Sequence, residues 1–161
     1  MGENHRVMET PMGPVGLTWE GGTLTGVDLE PVETDGEDLD VPETIVRQLD
    51  AYFEDGSRSF DLKLKTGGTD FQRRVWNALR EIPPGRTLTY GDLAKRIGTS
   101  ARAVGGACRA NPCPIVVPCH RVVATNGLGG FAGDTSGKKL DVKRWLLRHE
   151  GVVLPRTTSG F

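Results

Sequence analysis

The chain has little that could crosslink it, bind a metal or anchor it in a membrane. Its 161 residues include three cysteines, Cys108, Cys113 and Cys119, and three histidines, His5, His120 and His149. An odd cysteine count without an export signal argues against a disulfide framework, so all three are expected as reduced thiols. No Cys-x-x-Cys pair is present and the histidines are scattered, so no metal is expected, nor any other cofactor. There is no glycine-rich cofactor loop and no deaminase zinc signature. No apolar run approaches the roughly 20 residues that a membrane-spanning helix needs. Met1-Gly2-Glu3-Asn4-His5-Arg6 lacks the apolar core of a signal peptide, and Arg6 stands where a myristoylation site requires Ser or Thr. The expected location is cytoplasmic. Internal repeats and low-complexity tracts are absent as well.

What is present is unevenly spread. Residues 1–66 carry 15 acidic and 5 basic side chains, and residues 67–161 carry 6 and 15, within a net charge of −1. Two readings stay open: a polyanion partner on the basic side, or two oppositely charged parts that attract each other. The first part reads as short strands over 7–10, 15–19 and 24–29, with turns at Met12-Gly13-Pro14 and Glu20-Gly21-Gly22. An acidic loop follows over 30–40. Pro42 then opens a helix with Ile45, Leu49, Tyr52 and Phe53 on one face, ended by Gly56, and Phe60-Asp61-Leu62-Lys63-Leu64 alternates like a strand.

Thr66-Gly67-Gly68 is the expected joint, and beyond it the pattern turns helical. A capping box from Thr69 to Gln72 starts a helix with an apolar stripe of Phe71, Val75, Ala78, Leu79 and Ile82, stopped by Pro83-Pro84-Gly85. A second cap at Thr89 leads into Tyr90, Leu93, Ala94 and Ile97. Gly98-Thr99-Ser100 turns the chain into a third helix reaching about Ala110. A last helix over 140–149, with Val142, Trp145, Leu146 and His149 at helical spacing, is closed by Gly151. The expected fold class is α/β (α+β). A small N-terminal domain over 1–66 holds a mixed or antiparallel sheet with a helix. A helical C-terminal domain over 67–155 contains a helix-turn-helix, and 156–161 form a flexible tail.

Two segments carry chemistry. In Pro118-Cys119-His120-Arg121-Val122 a thiol adjoins an imidazole, behind Asn111-Pro112-Cys113-Pro114 and a further proline that limit backbone freedom. Cysteine attacks as the thiolate, which a nearby base makes accessible; the alternative is a buried structural cysteine beside a surface histidine. The second segment is the helix Ala101-Arg102-Ala103-Val104-Gly105-Gly106-Ala107, almost bare of side chains. Each glycine there costs on the order of 1 kcal/mol relative to alanine. A helix that reads sequence carries side chains that bond base edges, and this one offers only Arg102 and Arg109. A stripped helix suits a shallow fit in a widened minor groove, with Arg102 free to enter the base stack. The alternative is close helix–helix packing through small residues. Thiol, base and DNA helix together suggest chemistry on an extruded base.

These motifs closely resemble the O6-alkylguanine-DNA alkyltransferases, the methylated-DNA–protein-cysteine methyltransferases. The resemblance rests on Thr89-Tyr90-Gly91-Asp92-Leu93-Ala94, the bare helix, Arg109-Ala110-Asn111-Pro112, the stretch around Pro-Cys-His-Arg, and Trp145-Leu146-Leu147-Arg148-His149-Glu150-Gly151. It covers roughly 71–152 and is weaker over 1–65, where it implies a ribonuclease-H-like domain. It implies single-turnover repair of O6-alkylguanine, with O4-methylthymine as a further substrate, in which Cys119 keeps the alkyl group. His120 would take the thiol proton through a water, Glu150 would orient His120, and Tyr90 would give a proton to guanine. DNA would be double-stranded and held through its minor groove, lesion-dependently but regardless of sequence, by Ala101, Arg102, Ala103, Gly105, Arg109 and Tyr90. The working form would be a monomer. Asn111 would be the hinge beneath the DNA helix. The carbonyls of Cys119 and Val122 would accept from the guanine amino group, and Phe131, Ala132 and Gly133 would close the pocket. Arg121 would brace the site, and Cys108 and Cys113 would be packing residues. One departure is an apparent insertion over 134–139 next to that pocket loop.

Three other readings differ in what they require. A non-catalytic alkyltransferase-like damage binder would lack the reactive cysteine. A helix-turn-helix regulator would need base-reading side chains. A cysteine hydrolase would turn over repeatedly.

Overall fold

In the computed structural model, which describes residues 4–31, 41–129 and 138–153, the chain begins as an antiparallel meander. Strands β1 (Asn4–Thr10), β2 (Gly13–Glu20) and β3 (Thr23–Asp28) pair in sequence order, with β2 central. The first turn is one residue tighter than expected: Gly13 already belongs to β2, at a φ of 105° that suits glycine. On β2 the alternate apolar side chains Val15, Leu17 and Trp19 are buried, and Gly16 between them is buried as well.

Helix α1 (Glu43–Glu54) starts directly after Pro42 and buries Ile45, Leu49 and Tyr52. The segment 60–64 is not a strand, contrary to its alternation. It makes a single parallel bridge, Leu24 to Leu64. Its other polar groups are taken elsewhere: the Gln48 side chain accepts from the Asp61 N–H (2.7 Å) and donates to the Asp61 carbonyl (3.1 Å). A side-chain amide thus occupies the place of a neighbouring strand.

Helix α2 (Asp70–Arg80) has the expected reciprocal cap, Gln72 N–H to Thr69 Oγ1 at 3.0 Å and Thr69 N–H to Gln72 Oε1 at 2.9 Å. Strand β4 (Leu88–Thr89) leads into α3 (Tyr90–Ile97), capped by Thr89. Gly98 ends α3 at a φ of 73°, and Ser100 caps α4 (Ala101–Arg109) through its Oγ to the Ala103 N–H. The helix-turn-helix is therefore formed as its caps indicate. Buried Leu93, Ala94, Val104 and Ala107 join its two helices, and Trp76 of α2 ties in from below by donating to the Ala107 carbonyl at 2.8 Å.

A short parallel pairing decides where the reactive segment lies. Strand β5 (Val122–Val123) aligns Leu88 with Val122 and Thr89 with Val123. The pairing holds the start of α3, and hence Tyr90, beside the end of the Cys-His-Arg segment. Helix α5 (Lys138–His149) then runs back past that segment, and Gly151 closes it at a φ of 87°. Among the described residues no helix is long and apolar enough to cross a membrane.

Candidate active site and nucleic-acid interface

Residues 113–122 are all buried. Such a run needs its polar backbone satisfied internally, and Asn111 does much of this. Its Oδ1 accepts from the Cys113 N–H at 2.9 Å, and its Nδ2 donates to the Val117 carbonyl at 2.9 Å. The same Nδ2 lies 3.2 Å from Cys119 Sγ. One amide therefore shapes the loop and touches the thiol, which gives the expected hinge residue a concrete set of contacts. Ile115 within this loop adopts a φ of 78°, a conformation a β-branched residue holds only when its surroundings impose it.

Cys119, His120 and Arg121 form one turn of 3-10 helix. Neighbouring side chains on such a turn diverge, and here they diverge into a single buried polar cluster. His120 Nε2 lies 2.7 Å from Glu150 Oε2. Arg121 donates through Nε to Glu150 Oε1 (2.8 Å) and through Nη2 to Oε2 (2.9 Å), and its Nη1 reaches the Ile82 carbonyl at 2.6 Å. The expected bracing role of Arg121 thus has a geometry: a forked pair on the same carboxylate that holds His120.

The environments set the protonation states. Cys119 is 3% exposed, and burial pushes its thiol upward, with the Asn111 hydrogen bond and the Lys143 charge pulling the other way. Burial pushes His120 down despite Glu150, so the imidazole is neutral. Burial would raise Glu150, but its hydrogen bonds from His120 and Arg121 outweigh that and hold it at about 2. His120 Nδ1 is buried without a hydrogen-bond partner among the described residues. The site therefore sets a thiol that burial keeps protonated next in sequence to an imidazole that burial pushes towards its neutral form, whose Nδ1 has no partner among the described residues and whose Nε2 rests on an ionised carboxylate.

Two members were not singled out in the sequence. Lys143 of α5 is fully buried, donates to the Val122 carbonyl at 2.8 Å and lies 5.9 Å from the Tyr90 ring centroid. Burial brings it down to about 8, while the nearby thiols Cys119 and Cys108 work to raise it. The Val122 carbonyl, expected to accept from guanine, keeps a second lone pair beyond the Lys143 bond. Tyr52 of α1 donates its hydroxyl to Glu150 Oε2 at 2.6 Å. The usable signal lay in the spacing of residues 140, 143, 147 and 150. That is one helical face on which Lys143 and Glu150 interrupt leucines.

Tyr90 is partly buried, and that burial raises its hydroxyl to about 12, so it remains a proton donor. Gly129 leaves room beside it: a side chain there would meet the Tyr90 ring at 3.0 Å. Cys108 and Cys113 are buried thiols, each raised to about 12 by burial. Phe131, Ala132 and Gly133, the expected pocket loop, lie outside the described residues, as do 134–137 of the apparent insertion.

The outer face of α4 is open. Ala101, Arg102, Gly106 and Arg109 are exposed, Ala103 and Gly105 partly so. A β-carbon built on Gly105 or Gly106 would meet nothing within 4 Å, so the glycines do not serve packing within the described residues. Packing through small residues is confined to the inner face, where Ala107 is buried, and the outer face stays bare among the described residues.

The comparisons with known proteins agree with this layout. The family model described as "6-O-methylguanine DNA methyltransferase, DNA binding domain" matches residues 70–152, and the one described as "6-O-methylguanine DNA methyltransferase, ribonuclease-like domain" matches residues 4–66. A methylated-DNA–protein-cysteine methyltransferase from Methanosarcina acetivorans is 44% identical over 91% of this chain and 97% of its own. One from Mycobacterium bovis is 41% identical over 84% and 88%. Among solved structures, the Mycobacterium tuberculosis O6-methylguanine methyltransferase superposes with a TM-score of 0.79 at 37% identity, covering 97% of each chain. The Mycobacterium tuberculosis OGT in complex with DNA does so at 0.75 and 40% identity, covering 92% of this chain and 93% of its own.

Proposed function

The chain belongs to the 6-O-methylguanine DNA methyltransferase family, and from that membership we propose how its own residues carry out the repair. It is a methylated-DNA–protein-cysteine methyltransferase that repairs DNA by direct alkyl transfer to a protein cysteine. Cys119 is the acceptor. The observation that carries this is the thiol held by Asn111 on the same turn as the buried His120–Glu150 pair.

A thiol raised by burial must give up its proton for attack. Neutral His120 takes that proton through a water, and the imidazolium so formed is stabilised by Glu150. Cys119 Sγ then bonds to the alkyl carbon as the carbon–O6 bond breaks. The electron pair released to guanine is met by the Tyr90 hydroxyl proton. The product is a thioether with no good leaving group, so each molecule acts once.

A cysteine only 3% exposed cannot reach a base inside a duplex; the base must be brought to it. The bare face of α4 lies in the minor groove, and Arg102 fills the gap left by the extruded nucleotide. Binding depends on the lesion and not on the surrounding sequence, and the protein works as a cytoplasmic monomer. O4-methylthymine offers the same kind of electrophilic alkyl carbon and is a second substrate. The chain divides the work between 1–66, which supports the site, and 67–155, which carries it.

The test is incubation with duplex DNA containing O6-methylguanine, followed by peptide mass analysis. The peptide bearing Cys119 gains one methyl group per protein molecule, and Cys119→Ser binds DNA without reacting. Repeated turnover, or a methyl group on another residue, would overturn this mechanism. DNA affinity falls with rising salt, as phosphate contacts require.

A further inference from the structure

The mechanism above uses Glu150 through His120, yet Glu150 has a partner from the far end of the chain. Tyr52 and Glu150 are 98 residues apart in sequence and joined by a 2.6 Å hydrogen bond, with both side chains buried. The contact is built and not incidental. The Tyr52 ring meets Phe53, Phe60 and His149 at centroid distances of 5.4, 5.2 and 5.1 Å. Its backbone carbonyl lies 2.6 Å from His149 Nε2. Just beyond α1, Gly56 sits so close to the end of α5 that a β-carbon there would lie 2.1 Å from the His149 carbonyl oxygen. The end of α1 is thus fastened to the end of α5 immediately before Glu150.

Glu150 Oε2 is the atom on which the contacts converge, bonded by His120 Nε2, Arg121 Nη2 and the Tyr52 hydroxyl. Each donor draws charge from the carboxylate. We propose that Tyr52 is a positioning residue for alkyl transfer: its hydroxyl fixes the carboxylate that aims His120 and limits the negative charge presented to the imidazole. This rests on His120 being the proton acceptor. Tyr52 touches neither the thiol nor DNA and acts only through Glu150. Burial keeps its own hydroxyl protonated far above neutral pH, so it remains a donor throughout the working range.

Among the described residues, the charged and titratable groups facing His120 are few. Glu150 follows α5, Lys143 lies within α5, Arg121 shares the turn, Cys119 adjoins it, and Tyr52 reaches it from α1 by way of Glu150. Helix α2, also packed on the turn, buries uncharged Val75, Trp76 and Leu79, while its Arg80 reaches the Leu62 carbonyl. Removing the Tyr52 hydroxyl leaves Glu150 more basic. His120 then holds a proton more readily and stops serving as acceptor at a higher pH.

The experiment measures the single-turnover rate of Cys119 methylation against pH for the wild type, Tyr52→Phe and Phe60→Leu. Tyr52→Phe moves the acid limb of the profile upward by about half a unit, roughly a threefold loss of rate on that limb. Phe60→Leu, which loosens the same packing without touching a hydrogen bond, lowers the melting temperature and leaves the limb in place. A fluorotyrosine at position 52, a stronger donor on an unaltered scaffold, moves the limb downward. An unshifted limb in Tyr52→Phe, or an equal shift in Phe60→Leu, overturns the proposal and makes Tyr52 a packing residue. A wild type that leaves Cys119 unlabelled overturns the underlying mechanism and this proposal with it.

Discussion

On α4, Ala101, Arg102, Gly106 and Arg109 are exposed, and a β-carbon on either glycine would meet nothing within 4 Å among the described residues. A few residues later the chain is buried for ten consecutive positions, and His120 and Arg121, next to Cys119, close on Glu150. The open face has little to lose in stability, because its side chains make few internal contacts. The closed cluster has much to lose, because a charge stripped of its partner there has no water to turn to. A substitution on the open face of α4 should therefore change function and spare the fold, and one in the cluster should change both.

The largest test of that contrast is Glu150→Ala. It strands Arg121 and removes the acceptor for Tyr52 and His120, and loss of one partner of a buried pair costs about 3–5 kcal/mol. The variant melts far below the wild type by calorimetry, and no methyl transfer is detected. The same carboxylate makes stability depend on acid. Its folded value of about 2 lies below the ordinary 4.5, so its contribution is complete above about 4.5 and is lost as pH falls towards 2. His120 adds to this from higher pH: burial lowers it in the fold, so protonation of the unfolded chain begins first. A melting temperature constant from neutral pH down to 3 would break the account of the cluster.

Arg102→Ala, on the open face, is the converse case. The melting temperature stays within experimental error, since the side chain is exposed. Repair of duplex DNA in a single-turnover assay slows by about tenfold or more, because extruding a base costs a few kcal/mol and the gap is left unfilled. Reaction with a free O6-alkylguanine base, which needs no extrusion, keeps its rate. Equal losses on both substrates would move Arg102 out of the extrusion step.

Lys143→Met sharpens the comparison from inside the cluster. Its ammonium is buried, and replacing a buried charge with an apolar side chain of similar size is often close to neutral for stability. Its charge also favours the Cys119 thiolate. The variant therefore keeps its melting temperature within about 1 kcal/mol of stability, while the methylation rate drops several-fold and recovers as pH rises. It is the exception the contrast allows: a buried residue with more effect on reaction than on fold.

How much of this could be read in advance follows the same division. The open surface and its caps were legible because they are local. Ser100 and Thr89 cap helices three residues ahead, Gly98 takes the left-handed turn, and the lack of side chains on α4 needs no partner to be seen. The closed cluster was legible only in part. Cys119 and His120 adjoin in sequence, but Tyr52 meets Glu150 across 98 residues, and no periodicity marks the hydroxyl of a core tyrosine as a donor. Lys143 was hidden by the habit of assigning lysines to solvent. The strand expected over 60–64 failed for a related reason, since its alternation is real but Gln48 occupies the backbone groups that pairing needs.

The smallest effect is also the one that isolates the open face most cleanly. Gly106→Ala adds one methyl group where nothing lies within 4 Å, on a helix whose φ values alanine accepts. Helix propensity alone then stabilises the protein by up to about 1 kcal/mol. If the bare face exists for DNA, that methyl group occupies space the groove needs, and affinity for duplex DNA falls although the fold has improved. Thermal melts and a binding titration at fixed salt measure the two effects separately. A variant that is both more stable and equally tight on DNA would mean that glycine at this position serves neither packing nor the groove. The groove would then be met by Ala101, Arg102, Ala103 and Gly105 without it.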